Sequence, residues 1–202
     1  MLDLLSDILT RLSFRGTLYF RTSFTEPWGV RVPAYRDVAR FHYAHRGEAL
    51  VRVGGQQAPV TLAQGDLVII PHGEPHVLSC RHTGPEEALP LDDVLSRSGF
   101  PGYGTLVWGG EESPRDTQLI CGHFALAEGS RHLLFDRLPP YIHLRGYGED
   151  AGGWLDATLK VIGAEAGGAR LGGDLIALKM SEAIFAQAIR AFIEQSPEGI
   201  PG

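Results

Sequence analysis

Residues 65–80 read GDLVIIPHGEPHVLSC, and this stretch decides the interpretation of the fold. An apolar run precedes Pro71 and Gly73, and a second short run begins at His76. Proline ends strand pairing and glycine permits a tight turn, so the pattern predicts two strands joined by a sharp corner. Side chains alternate along a strand, which places His76 and Cys80 on the same face of the second strand.

Short β-type runs continue on both sides of this corner, from about residue 16 to residue 144. They read TLYFRTSF, GVRVPAY, ARFHYAH, ALVRVGG, PVTLAQG, DLVIIPH, HVLSC, QLICGHFAL and YIHLRG. Many short strands at close spacing indicate a sandwich or a barrel. Residues 82–117 interrupt the rhythm with glycine, proline and acidic residues, so we expect a lid or a partly mobile loop there.

Helical patterns are found at the two ends of the chain. Residues 2–12 predict a short amphipathic helix, and residues 152–166 and 174–195 predict two longer helices. The last helix is apolar over more than half of its circumference, with Leu175, Phe185 and Ile189 on its main stripe. Such a helix needs two packing partners, which are either parts of the same chain or the barrel and a second subunit.

Composition excludes several classes of protein. The chain has 202 residues, a formal net charge of −6 and no clustered Lys or Arg, which argues against direct binding of nucleic acid or membrane. Two cysteines do not form a disulfide framework, and the N-terminus lacks the pattern of a signal peptide, so we expect a cytoplasmic protein with reduced thiols. There is no nucleophile elbow, phosphate loop or dinucleotide fingerprint.

The opening stretch resembles the second motif of the cupins, G-x5-P-x-G-x2-H-x3-N, with Cys80 in place of the final asparagine. The resemblance implies a mostly β fold, the cupin double-stranded β-helix or jelly-roll barrel, with a short N-terminal helix and C-terminal α-helices. The first cupin motif supplies histidines and a glutamate as metal ligands. Counting back from its closing glycine, Gly47, places Arg40 at the glutamate position, and residues 32–36 contain no histidine. The usual cupin metal site is therefore absent from the sequence.

Over nearly the whole chain, the sequence resembles the sensory domain of AraC-type transcription regulators. The resemblance is carried by GEALVRVGG, GDLVIIPHGEPHVL, LICGHFAL, LFDRLPPYIHL and LIALKMSEAIFAQAIRAFIE. It implies a barrel domain over residues 1–148 that binds a small-molecule effector, and a helical segment over residues 149–202 that forms a homodimer. It also implies that DNA is bound through a separate C-terminal helix-turn-helix domain absent from this chain, and that the chain is not an enzyme.

Three residues are candidates for effector binding. His42 lies two positions beyond Arg40 and shares its face, which the motif alignment points into the barrel. With Tyr35 they supply the few polar groups that a mostly apolar ligand pocket needs, and an arginine favours a carboxylate or phosphate. The alternative is that Arg40 faces solvent and His42 is a hydrogen-bonded core histidine.

A second set of residues suggests a metal. His76 and Cys80 share one strand face, as do Cys121 and His123, so adjacent strands would assemble a tetrahedral site for Zn²⁺ or another transition metal. This set supports the alternative function, a metal-binding cupin enzyme of the dioxygenase or isomerase type. Two other interpretations remain open: the cysteines are buried apolar residues, or they form a redox-sensing pair.

Overall fold

The computed structural model describes residues 14–56, 58–111, 116–126, 137–147, 153–166 and 171–195. The strands are β1 (Phe14–Thr25), β2 (Gly29–Val32), β3 (Val38–Arg46), β4 (Ala49–Val53), β5 (Val60–Leu62), β6 (Leu67–Ile70), β7 (His76–Ser79), β8 (Leu89–Pro90), β9 (Thr105–Gly109), β10 (Gln118–Leu126) and β11 (Ile142–Leu144). The helices are α1 (Leu91–Ser98), α2 (Trp154–Ala166) and α3 (Gly173–Gln195). The helix predicted over residues 2–12 and the domain boundary predicted at residue 148 lie outside the described residues.

The strands form two sheets that pack face to face. One sheet has six strands in the order β11-β6-β3-β10-β1-β9, and the other has five in the order β5-β4-β7-β2-β8. Strands distant in sequence become neighbours, as when β3 pairs antiparallel with β10 and β6. This is the cupin jelly-roll architecture that the sequence predicts.

The six-stranded sheet is buried on both of its faces. Phe41 and Tyr43 on β3 face the helices, whereas His42 and Ala44 on the same strand face the second sheet. Two hydrophobic clusters result. The helix-facing cluster lies between the six-stranded sheet and α2 and α3, and the interior cluster lies between the two sheets.

Helix α3 completes the helix-facing cluster. Phe185 is fully buried, and its ring meets that of Phe124 on β10 with centroids 5.3 Å apart. Leu175 and Ile176 near the start of α3 remain exposed. The same chain thus covers much of the apolar surface that the sequence assigns to this helix. None of the described helices combines the length and apolar character needed to cross a membrane.

The segment 82–117, expected as a lid or a mobile loop, contains regular structure in its described part. Strand β8 adds to β2 and β9 adds to β1, both in parallel, so each extends one sheet at its edge. Helix α1 connects these two edges, and its Val94 is fully buried. The segment therefore closes one side of the gap between the sheets.

The corner predicted at Pro71 and Gly73 is present between β6 and β7. Gly73 has a φ of +65°, and an added Cβ would collide with the carbonyl oxygen of Tyr35. Only glycine fits this position without strain. The backbone N–H of Tyr35 donates to the Gly73 carbonyl at 2.9 Å, which fixes the corner against the segment that leads into β3.

Candidate functional site

The polar side chains of the interior gather where β3, β10 and β7 approach one another. His42 on β3 is the register partner of Cys121 on β10, so their side chains lie on the same face of the six-stranded sheet. His76 on β7 comes from the opposite sheet. All three are buried, with exposed fractions of 2–4%.

These residues form a hydrogen-bonded relay with a defined direction. The Glu74 carbonyl can only accept, so His76 Nδ1, 3.0 Å away, carries the proton and donates it. In a neutral ring, His76 Nε2 then accepts from His42 Nε2–H across 2.8 Å. His42 Nδ1 is left as an acceptor for the Cys121 thiol, 3.1 Å away. Every polar atom of the relay is satisfied when all of its groups are neutral.

Burial favours this neutral state. It lowers the pKa of His42 well below its usual value, and the charges of His76 and Arg40 act in the same direction. Burial also lowers the pKa of His76 to about 4, against the opposing effect of its bond to the Glu74 carbonyl. The pKa of the Cys121 thiol is raised by burial, so Cys121 stays protonated.

Arg40 carries the positive charge of the site. It lies on β3 next to its register partner His123 on β10, and only 7% of it is exposed. The guanidinium carbon lies 4.1 Å from the centroid of the Tyr35 ring, a cation–π contact. Burial lowers the pKa of Arg40, while Tyr35 raises it. The pKa of His123 is lowered to about 4, by burial and then by Arg40, which keeps His123 neutral.

A cavity between the sheets joins these polar groups to an apolar wall. Arg40, His42, Cys121 and His123 line one side of it. Apolar side chains of β1, β2, β7, β9 and α1 line the rest, including Phe24, Val32 and Leu106. The cavity is narrow, since only about 20 Å³ of it is open to the centre of a water-sized sphere. That space corresponds to about one water molecule.

The structure brings two of the three predicted effector-binding residues to the cavity. Arg40 and His42 line it, so Arg40 does not face solvent. Tyr35 does not line it and is 38% exposed, but its ring covers the Arg40 guanidinium. His42 is also a hydrogen-bonded core histidine, as the alternative interpretation holds.

The four residues predicted as metal ligands are not brought together. Cys80 directly follows β7, at the end away from His76, and its sulfur accepts from the backbone N–H of Trp28 at 3.4 Å and contacts Thr83 Oγ1 at 3.1 Å. His76 reaches Cys121 only through His42. Among the described residues, no group of three or more His, Cys, Asp or Glu side chains is arranged to hold a metal ion.

The metal that the cupin fold implies does not fit this chain either. The guanidinium of Arg40 stands at the position of the carboxylate ligand, and the Tyr35 ring covers it. A fixed buried cation at this point repels a metal ion. His76 occupies the position of the histidine ligand in the second motif, and its nitrogens are already bonded to His42 and Glu74.

Two parts of the site are not predicted from sequence. The contact of His42 with His76 joins two sheets, and the wall formed by Leu91 and Leu106 comes from the segment taken as a loop. Helix α1 has recognisable signals in the sequence. Two aspartates occupy its first turn, and Gly99 follows its end in the left-handed conformation.

The comparisons identify the class of protein. A family model described as Cupin matches residues 3–194, so the chain belongs to the cupin family. The chain also matches two curated proteins named as candidate AraC-like transcription regulators. The one from Streptomyces antibioticus is 26% identical over 210 aligned positions, and the one from Streptomyces lividans is 28% identical over 201. Each match covers 100% of this chain and 63% of the relative. The predicted resemblance is confirmed, with this chain corresponding to the N-terminal part of these regulators.

Solved structures of ToxT from Vibrio cholerae are similar in fold. Apo ToxT K231A has a TM-score of 0.49 at 8% identity, covering 92% of this chain and 58% of that one. Wild-type ToxT with bound unsaturated fatty acid has a TM-score of 0.42 at 5% identity, covering 89% and 54%.

Proposed function

We propose that this chain is the effector-sensing domain of an AraC-type transcription regulator and that it acts without catalysis. The observation that carries the proposal is the interior cavity, which is apolar except where Thr22, Arg40, His42, Cys121 and His123 meet it. An enclosed apolar space with a few fixed polar groups is the usual form of a small-molecule site. The names of the curated relatives support the regulatory role.

The effector would act by shifting populations of conformations. The six-stranded sheet has the cavity on one face and helices α2 and α3 on the other, so a change in its shape alters how the helices pack. The corner between β6 and β7 gives a second connection between the polar side of the cavity and the helix-facing cluster. Glu74 in this corner accepts from His76, and His72 bonds to the carbonyl of Leu138 in the helix-facing cluster at 2.9 Å.

The proposed partners are a second copy of the chain and, through a separate C-terminal domain, DNA. Leu171, Leu175 and Ile176 are exposed at the start of α3, and we propose that this patch contributes to a homodimer. Sedimentation of the double variant Leu175→Glu/Ile176→Glu tests it, with Gln187→Glu on the exposed side of α3 as control. We expect a dimer for the wild type and the control, and a monomer for the double variant. A monomeric wild type at high concentration would contradict the dimer.

Blocking the cavity tests the sensing function. Leu106 faces the cavity, and the next residue, Val107, is 42% exposed on the outside of β9. Leu106→Trp therefore fills the site, and Val107→Trp is a matched control on the same strand. In a thermal-shift screen of small metabolites, we expect at least one compound to raise the Tm of the wild type and of Val107→Trp, but not that of Leu106→Trp. A screen in which no compound does so, or in which Leu106→Trp responds equally, would refute the function.

A further inference from the structure

We propose that the cavity takes a small molecule with one carboxylate on an apolar body, and that Arg40 binds the carboxylate. This inference rests on the proposed sensing function and names the chemical class of the effector. It follows from the surroundings of Arg40, from the remaining lining of the cavity and from its size.

Arg40 is a buried cation, and no carboxylate among the described residues forms an ion pair with it. Its Nε is inaccessible to solvent and has no hydrogen-bond acceptor among the described residues. Ion pairs between described residues include Glu48 with Arg81, Glu26 with His82, Asp66 with His143, and Lys179 with Glu182, and Arg40 belongs to none of these pairs. Tyr35 contacts the guanidinium with its ring and raises the pKa of Arg40 through a side-chain hydrogen bond, but it supplies no carboxylate. A buried charge without a partner is costly, so the site is incomplete without an anion.

The charge of the site selects a monoanion. The histidines that line or adjoin the cavity, His42, His76 and His123, are neutral because burial lowers their pKa values. Arg40 then supplies one positive charge and a planar fork of N–H donors, which matches the two oxygens of a carboxylate. A phosphate dianion would leave a second negative charge buried without a partner.

The rest of the cavity specifies the body of the ligand. Apart from Thr22, whose hydroxyl donates to the Leu119 carbonyl, its walls away from the polar side are aliphatic and aromatic, including Phe24, Val32 and Leu106. A hydroxyl-rich molecule such as a sugar would lose its hydrogen bonds to water against these walls. The space is too small for any such ligand without movement of a wall, so the body must be compact. The wall formed by α1, which connects the edges of the two sheets, is the part expected to yield.

Matched acids and amides test the charge requirement. Hexanoate with hexanamide, and phenylacetate with phenylacetamide, have the same apolar body with and without the anion. We expect each acid to bind the wild type at least about tenfold more tightly than its amide, since a hydrogen bond between charged groups contributes about 1.5–3 kcal/mol. Isothermal titration calorimetry measures both members of each pair.

Variants of Arg40 locate the effect. Arg40→Gln should lose the preference for the acid and leave the affinity for the amide unchanged. Arg40→Lys keeps the charge without the planar fork, so its preference for the acid should lie between those of the wild type and Arg40→Gln. It also provides the test if Arg40→Gln does not fold. Arg97→Gln, an exposed arginine on α1, is the matched control and should behave as the wild type.

The outcomes separate this inference from the sensing function. Equal binding of acid and amide, abolished by Leu106→Trp, would leave the sensing function intact and overturn the carboxylate. An acid preference that survives in Arg40→Gln would overturn the role of Arg40. Failure of both acids to bind the wild type would also overturn the inference, whereas the sensing function fails only if the metabolite screen finds no cavity ligand.

Discussion

Strand β3 has two buried faces that differ in character. Ala39, Phe41 and Tyr43 pack against β6, β10 and the helices, and Phe41 stacks on Phe124 at 5.2 Å. Between them, Arg40 and His42 point into the interior beside the cavity. One face is filled by hydrocarbon, and the other holds a charge, a hydrogen-bonded relay and unfilled space. Both faces are buried, but only the helix-facing one is a purely apolar core, so burial alone does not identify a structural core.

The two faces also differ in how they contribute to stability. Close packing in the helix-facing cluster gains from every buried methylene group. In the interior cluster, the free energy of unfolding depends on the protonation state of the relay and is lowered by the burial of the Arg40 charge, which has no carboxylate partner among the described residues. We therefore expect that some substitutions on the interior face raise the free energy of unfolding, whereas truncations on the helix-facing side lower it.

The largest effect is expected from Phe185→Ala in the helix-facing cluster. Loss of a fully buried phenylalanine leaves a cavity and should lower the free energy of unfolding by about 3–5 kcal/mol. Gln187→Ala on the same helix, where the side chain is exposed, should change it by less than about 0.5 kcal/mol. Urea unfolding measures both. If Phe185→Ala lowers the free energy of unfolding by less than about 1 kcal/mol, the helices do not form this cluster.

The relay should make stability depend on pH. His76 has a pKa of about 4 when folded, below its value of 6.5 when unfolded. Between these values the unfolded state binds more protons, so stability is full above pH 6.5 and falls as the pH drops towards 4. At about 1.4 kcal/mol per unit, His76 alone removes about 3 kcal/mol over this window.

Urea unfolding at several pH values from about 7.5 down to about 4 measures how the free energy of unfolding changes with pH. The upper limit lies about one unit above the pKa of His76 in the unfolded state. His76→Gln should reduce the slope, whereas His82→Gln, at an exposed surface position, should leave it unchanged. His42 and His123, whose pKa values are also lowered, account for the slope that remains. If the stability of the wild type does not decrease when the pH is lowered below about 6, the relay is not neutral in the folded protein.

Asp66 connects the barrel to the segment that leads to the helices. Its carboxylate accepts from His143 Nε2 at 3.0 Å, from the Gly146 N–H at 2.8 Å and from the Ala63 N–H at 3.1 Å. Asp66→Ala should lower the free energy of unfolding by about 2–3 kcal/mol, because three partly buried hydrogen bonds lose their acceptor. Ala substitution of the exposed Asp116 is the control and should have little effect. If both substitutions have an equally small effect, Asp66 does not stabilise the connection between the barrel and the segment that leads to the helices.

The smallest effect, and the one with the opposite sign, is expected from Arg40→Met. Arg40 is a buried charge without a carboxylate partner among the described residues, so replacing it with an apolar side chain should raise the free energy of unfolding by about 1 kcal/mol, after loss of the contact with Tyr35. Thermal and urea unfolding without ligand measure the change. A clear destabilisation would mean that Arg40 has a partner in the empty protein, and the proposed carboxylate would lose its basis.

Much of the barrel can be predicted from the sequence because its signals are local. Proline and glycine mark the corner at residues 71–73, and the alternation of β3 with the position of Gly47 places Arg40 in the interior. Helix α1 is missed because the surrounding glycines and prolines give the pattern of a loop. Its cap signals, Asp92, Asp93 and Gly99, are local as well and could have identified it.

The relay could not be predicted because it depends on contacts between sheets. Alternation shows that His42 and Arg40 share a face, but it does not show that β7 brings His76 within 2.8 Å of His42. The same limit explains Cys80. It shares a strand face with His76, but four residues along an extended strand separate the two by roughly 13 Å, and each meets different neighbours.

The buried guanidinium of Arg40, which has no carboxylate partner among the described residues, also has a consequence for the lifetime of the protein in the cell. If a carboxylate completes the site, the empty form is the less stable one, and each tenfold increase in ligand above its Kd adds about 1.4 kcal/mol to folding. Cellular proteases degrade the unfolded fraction, so empty molecules are removed faster than occupied ones. The amount of the regulator would then rise and fall with its own signal.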